Sequence, residues 1–240
     1  MKSAVSTDGV LCVDKAPGMT SHDVVSITRR VLQTKKVGHC GTLDPLATGL
    51  LLITIGRGTK IQDLLMSEDK EYVGTMRLGQ ATSSQDADGD ILEEKPVPAL
   101  SRDDLTAVFD EFRGDFYQTP PMVSAIKKDG VPLYKLARQG KEVVREPRFV
   151  HVYGYDILDF RTEEIDFRVT CSKGFYVRTY AHEIGAKLGC GAHLKNLRRT
   201  KSGRFSVDGA VTVDELKSLP TEEIWGRVLS LPAVSRLRGA

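Results

Sequence analysis

The sequence predicts an α+β protein, because strand patterns of two kinds and helical stripes follow one another without a regular βαβ period. Leu50–Ile55 is a continuous apolar run of strand length with a glycine on each flank. Ile165, Phe167, Val169 and Cys171 instead alternate with Asp166, Arg168 and Thr170, as in a half-buried strand. Helical spacing appears in Val24, Val25, Ile27, Val31 and Leu32, and again in Leu105, Val108, Phe109 and Phe112.

Taken in order, Val10–Val13 reads as a short strand broken by the turn Lys15-Ala16-Pro17-Gly18. A helix follows with Ser21 as its expected N-cap. Leu50–Ile55 is the buried strand, and in Glu71–Gly79 the residues Tyr72, Gly74, Met76 and Leu78 share one side of another. Ser101 with Asp104 forms the pattern of a capping box and opens a helix that ends before Gly114. After the alternating strand, Val177, Tyr180, Ala181, Ile184 and Leu188 return to helical period and stop at Gly189. Thr119–Pro147 is rich in Lys, Arg, Gly and Pro, with a short helical patch at Leu133, Tyr134, Leu136 and Ala137. It reads as a protruding loop or hairpin that touches a partner.

With 40% hydrophobic and 28% charged residues among 240, the composition is that of an ordinary globular protein and excludes general disorder. No apolar run approaches the roughly 20 residues a bilayer requires, and the first residues lack a signal-peptide layout. A cytoplasmic protein is expected. Cys12, Cys40, Cys171 and Cys190 contain no CxxC pair, so neither a disulfide framework nor a zinc ribbon is indicated. The net charge of +2 conceals two local fields. Lys187, Lys195, Arg198, Arg199, Lys201 and Arg204 occupy a stretch without an acid, whereas residues 86–94 hold five acids and no base.

The segment Gly38–Gly49, GHCGTLDPLATG, cannot simply continue a helix or a strand. Its glycines and Pro45 imply a fixed loop that carries Asp44, and scaffolded loops are where catalytic groups concentrate. Local physics favours a plainer reading, a turn begun by the pair Asp44-Pro45. Asp86, Asp88 and Asp90 suggest a calcium loop, but Ile91 stands where its glycine is required. His182-Glu183 lacks the second histidine of a zinc protease, because Ala186 occupies that position. A thiol hydrolase built on Cys40 would need a base on another segment, and His39 is adjacent in sequence.

GHCGTLDPLATG resembles the catalytic motif of the TruB family of tRNA pseudouridine synthases, and four further blocks match in order. They are Asp14-Lys15-Ala16-Pro17-Gly18-Met19-Thr20-Ser21; Lys70-Glu71-Tyr72 with Leu78-Gly79, Thr82, Ser84, Asp86 and Gly89; Cys171 through Thr179; and Ala192-His193-Leu194 with Leu197-Arg198-Arg199-Thr200. The resemblance implies the pseudouridine synthase fold, a mixed and mostly antiparallel central sheet flanked by helices and loops. It implies isomerisation of uridine 55 in the T-loop of tRNA, without cofactor or metal. Asp44 corresponds to the essential aspartate, Arg178 to the arginine that pairs with it, and Tyr72 to the active-site tyrosine. His39, Tyr176, Leu197, Lys15 and Lys173 fall at positions expected to meet the substrate, with His39 placed against the T-loop as the base flips out. The basic run from Lys187 to Arg204, with Lys127, Lys128, Arg138 and Lys141, is expected to supply phosphate contacts.

The same resemblance implies a monomer that grips the T-arm and requires no protein partner. A catalytic domain over residues 1–219, with residues 119–147 as an RNA-contacting insertion, and a short tail at 220–240 are expected. That tail of 21 residues is too short for a complete RNA-binding PUA domain, which guide-RNA-dependent relatives use. A non-catalytic RNA-folding module would share the basic surface and leave Asp44 without a role.

Overall fold

The computed structural model describes residues 8–122, 124, 127, 128, 131, 132 and 143–239. In chain order the elements are β1 (Gly9–Lys15), α1 (Ser21–Val31), β2 (Val37–Cys40), β3 (Thr48–Ile55), α2 (Gln62–Met66) and β4 (Lys70–Leu78). Then come β5 (Gln80–Thr82), β6 (Ile91–Glu94), α3 (Arg102–Glu111), β7 (Gly114–Gln118), β8 (Lys127–Lys128), β9 (Val131–Pro132), β10 (Arg148–Arg161) and β11 (Glu164–Cys171). The last are α4 (Val177–Lys187), β12 (Ala192–Ser202), β13 (Phe205–Ser206), β14 (Val211–Thr212), α5 (Val213–Ser218), α6 (Thr221–Gly226), β15 (Leu229–Ser230) and α7 (Leu231–Arg238). The class is α+β, as expected. The chain divides into two compact units, residues 1–71 with 198–240, and residues 72–197.

In the first unit β1 and β3 pair antiparallel along their length, from Gly9 opposite Ile55 to Lys15 opposite Gly49. Every residue of β3 from Gly49 onward is buried, so its sequence runs apolar instead of alternating. The edge of β3 that β1 leaves open is used twice. β2 lies antiparallel against Leu52–Ile55, and β12 meets Thr48 and Gly49 in parallel. Between these two pairings the ladder is interrupted, and there the chain leaves the sheet as the loop 41–47.

The parallel contact explains Gly49. Its φ is +97°, and a Cβ there would stand 2.3 Å from the Arg199 carbonyl oxygen. Only glycine permits both the backbone angle and that approach.

Helix α1 begins one residue earlier than expected. Thr20, not Ser21, is the N-cap: its hydroxyl accepts from the Asp23 N–H at 3.1 Å while Asp23 accepts from the Thr20 N–H at 2.7 Å. The [ST]-x-x-[DE] pattern at this helix was therefore anchored on Thr20. Ser21 is 2% exposed and turns inward. The segment after Leu219, expected as a tail, forms α6, β15 and α7, buries Ile224 and Val234, and adds β15 antiparallel to Gly9 and Val10.

In the second unit β4, β11, β10 and β7 are neighbours in that order. The alternating residues of β11, Ile165, Phe167, Val169 and Cys171, are all fully buried. Phe109 of α3 meets Phe167 of β11 and Tyr180 of α4 with ring centroids 6.4 and 5.8 Å apart, both edge to face. Such pairs add about 0.5–1.5 kcal/mol each beyond area burial. The Ser101–Asp104 capping box is present at the start of α3. Between Thr119 and Pro147, β8 and β9 pair antiparallel as a hairpin; the helical patch at Leu133–Ala137 lies outside the described residues.

Gly49→Ala combines positive-φ strain with overpacking against a backbone carbonyl, so a loss of about 2–5 kcal/mol is expected in urea unfolding.

Candidate active site

The loop that leaves β2 and returns to β3 is held by its own backbone and by three side chains from elsewhere in the first unit. The Ala47 N–H donates to the Asp44 carbonyl at 3.0 Å, so the turn expected at Asp44-Pro45 does form. The Pro45 carbonyl accepts from the Gly18 N–H at 2.9 Å and from the Lys15 ammonium at 3.3 Å. Ser21 Oγ accepts from the Leu43 N–H at 2.8 Å and donates to the Leu43 carbonyl at 3.1 Å. Arg199 donates from Nε to the Leu50 carbonyl at 2.7 Å and from Nη2 to the Gly41 carbonyl at 3.1 Å. Leu43 and Ala47 are buried on either side of Asp44, which is itself half-buried. The turn and the functional reading are therefore compatible: the turn fixes the aspartate.

Lys15, which the resemblance placed against the substrate, lies beneath the loop. Its side chain has no exposed surface, and its ammonium also donates to the Met19 and Ala16 carbonyls at 2.8 and 2.9 Å. Lys15 is a support beneath the loop. Burial holds its pKa down to about 8, opposed by the negative charge of Asp44. His39, half-buried on β2, is also held below its ordinary value, first by burial and then by the Arg199 cation. Cys40 is fully buried, and burial pushes its thiol up to about 12. A thiolate nucleophile is therefore disfavoured there.

In the second unit Arg178 and Thr179, on the first turn of α4, grip the loop 82–90. Arg178 is 3% exposed; its guanidinium lies 3.5 Å from the Asp86 carboxylate and donates to the Ser84 carbonyl at 2.9 Å. Thr179 Oγ1 donates to Gln85 Oε1 at 2.9 Å. Asp86 accepts as well from Ser84 Oγ and from the Asp88 N–H, so the first aspartate of the run that resembled a calcium loop serves a buried ion pair. The Tyr176 backbone is fixed by Gln118, which accepts from its N–H at 2.8 Å and donates to its carbonyl at 3.1 Å. Tyr72 and Leu197 are buried, and Lys173 is exposed in the turn before α4. Gly74, on the same strand face as Tyr72, lets Leu197 approach: a Cβ there would stand 3.2 Å from its methyl carbon.

The basic run does not make the field its sequence suggests. Lys187 pairs with Glu111 at 2.6 Å, Lys195 with Glu164 at 2.5 Å, Arg198 with Asp14 at 2.6 Å and Lys201 with Glu71 at 3.1 Å. Arg199 is buried, so of the six cations only Arg204 is both exposed and outside these pairs. Side chains of Lys127, Lys128, Arg138 and Lys141 lie outside the description.

The family model for the N-terminal domain of TruB family pseudouridylate synthases matches residues 29–177, a span that holds both Asp44 and Tyr72. The chain belongs to the TruB family. A model for the C-terminal domain of tRNA pseudouridylate synthase B matches residues 178–229. The chain is 54% identical over 222 residues to the tRNA pseudouridine synthase B of Opitutus terrae, covering 92% of each. It is 43% identical over 234 residues to that of Francisella philomiragia, covering 97% of this chain and 78% of the relative. Among solved structures, it is similar to a chain of a Cbf5–Nop10–Gar1 complex, with TM-score 0.77, 29% identity and 98% of this chain covered. It is also similar to one of the archaeal box H/ACA sRNP Nop10–Cbf5 complex, with TM-score 0.69, 31% identity and 92% covered. The chain spans 65% and 59% of the length of those two.

Two outcomes follow for the TruB scaffold. Asp86→Ala removes one of the groups that meet the buried Arg178 guanidinium and should cost about 1–3 kcal/mol in urea unfolding. Lys15 has a folded pKa of about 8 against an ordinary 10.5, so between these values the unfolded chain binds more protons and stability attributable to Lys15 rises with pH. Relative to Lys15→Met, the wild type should gain about 2 kcal/mol between pH 8 and pH 10. Comparing the two proteins at each pH cancels the titration of the buried thiols.

Proposed function

We propose that the protein is a tRNA pseudouridine synthase that isomerises uridine 55 in the T-loop, acting as a cytoplasmic monomer, with Asp44 as the catalytic carboxylate. The observation that carries this reading is the fixed loop. In a chain of this family, Asp44 is the one acid of GHCGTLDPLATG, and the loop backbone around it is bonded by Lys15, Ser21 and Arg199. Identity of 54% to a tRNA pseudouridine synthase B, against 29% and 31% to the Cbf5 complex chains, supports tRNA as substrate.

The reaction breaks the bond between uracil N1 and ribose C1′, turns the base, and joins C5 to C1′. The C5 proton is lost to solvent and N1 gains one. A base stacked in a folded loop must first be extruded, at a cost of a few kcal/mol. His39, held neutral by burial, suits stacking against the opened T-loop better than a charged ring would. The family resemblance gives Tyr72 the place against the target base, Arg178 the pairing with the catalytic aspartate, Tyr176 and Leu197 the walls of the uracil pocket, and Lys173 a contact with the RNA.

Asp44→Asn keeps the shape and removes the charge. It should bind tRNA normally and release no tritium from tRNA labelled at uridine C5; turnover within tenfold of wild type would sink the assignment. Mapping pseudouridine in bulk tRNA treated with the wild-type protein should find it at position 55, and modification elsewhere alone would overturn the substrate. Arg178→Lys should also lose most activity, because an ammonium lacks the planar fork.

A further inference from the structure

Arg199 has no part in the chemistry above, yet it is among the largest fully buried side chains of the described residues, at 1% exposure. We propose that Arg199 is a positioning residue for Asp44, clamping the two strand ends between which the catalytic loop is hung.

Three observations carry the proposal, which rests on the assignment of Asp44. The guanidinium fills the interruption in the β3 ladder: Nε donates to Leu50, just inside β3, and Nη2 to Gly41, just beyond β2. One rigid plane therefore fixes both ends of the loop. The main chain of the same residue forms the parallel contact with Gly49, so close that a Cβ would collide with it. The third observation is the charge. Burying a cation costs several kcal/mol, and the hydrogen bonds of this one go to carbonyls that a neutral donor could also satisfy. What a neutral donor lacks is the fork, whose N–H groups diverge at fixed angles and reach two carbonyls nine residues apart. Its charge is felt on both flanks of the loop, since the pKa values of Lys15 on β1 and His39 on β2 are each held lower by it. Neighbouring Arg198 is different: it is partly exposed and makes a bidentate pair with Asp14 at 2.9 and 2.6 Å.

A clamp of this kind acts on kcat and leaves tRNA affinity alone, because misplacing a catalytic group by about 1 Å costs on the order of 10²-fold. Arg199→Lys keeps the charge and most of the volume but loses the fork. It should lower kcat by about 10–100-fold with KM for tRNA within about threefold of wild type. Amide hydrogen exchange should rise within residues 41–50 and not across the rest of the first unit. A folded variant with wild-type kcat, or a loss expressed in KM alone, overturns the proposal. So does faster exchange spread over the whole unit, which would make Arg199 general core support. Should the lysine variant fail to fold, Arg199→Gln, which drops the charge and keeps a donor, is measured the same way, and its failure to fold is also taken as core support. Asp44→Asn is assayed alongside. If that variant turns over, the functional reading falls; if it is inactive while Arg199→Lys is fully active, only the clamp falls.

Discussion

The backbone of residues 41–47 leaves the sheet with Leu43 and Ala47 turned into the protein, and much of the first unit follows from satisfying its inward-facing amide groups. An unpaired buried N–H or C=O costs about 1–3 kcal/mol, so the loop requires donors and acceptors from elsewhere. Lys15 supplies donors from the end of β1, Ser21 both a donor and an acceptor from the start of α1, and Arg199 two donors from β12. Each is itself buried, so each can hold its geometry without competition from solvent. The price is a lysine with a lowered pKa and an arginine without a carboxylate in its hydrogen bonds, tolerated because the alternative is a loop free to move.

The second unit solves a related problem with an ion pair. Arg178 could not sit at 3% exposure without a countercharge or several acceptors, and the loop 82–90 provides Asp86 and the Ser84 carbonyl. That loop is in turn held by Thr82 Oγ1 donating to the Asp86 carbonyl at 2.7 Å and by the Leu194 carbonyl accepting from the Ala87 N–H at 3.0 Å. Both loops are thus ordered from their backbones outward.

How much of this was legible in the sequence depends on whether the signal was local. β3, β11, the cap of α3 and the stripe of α4 were readable because periodicity and capping are properties of neighbouring residues. Thr20 and Ser21 are both good N-cap residues by type; the capping-box spacing to Asp23 marks Thr20, and Ser21 is drawn inward by Leu43, 22 positions away. Asp44, Tyr72 and Arg178 were singled out by motif resemblance, since an Asp-Pro turn, a strand tyrosine and a helix arginine carry no local mark of function. Lys15 was placed against the substrate by resemblance, and its burial shows that its ammonium is spent on carbonyls.

The basic run from Lys187 to Arg204 shows why linear charge misleads. Along β12 alternation puts Lys195, Arg199 and Lys201 on one face and Arg198 on the other, yet Arg199 is buried while Lys195 and Lys201 are exposed, so position along the strand decides each cation's environment. Carboxylates from Asp14, Glu71 and Glu164, distant in sequence, then lie alongside three of them. A salt-bridged surface lysine still attracts phosphate, but it must exchange one anion for another, and exposed pairs of this kind are worth only about 0–1 kcal/mol. The exchange is therefore nearly balanced. Arg199 lies outside this exchange: its partners are the carbonyls of Gly41 and Leu50, which the fold does not release without opening the loop.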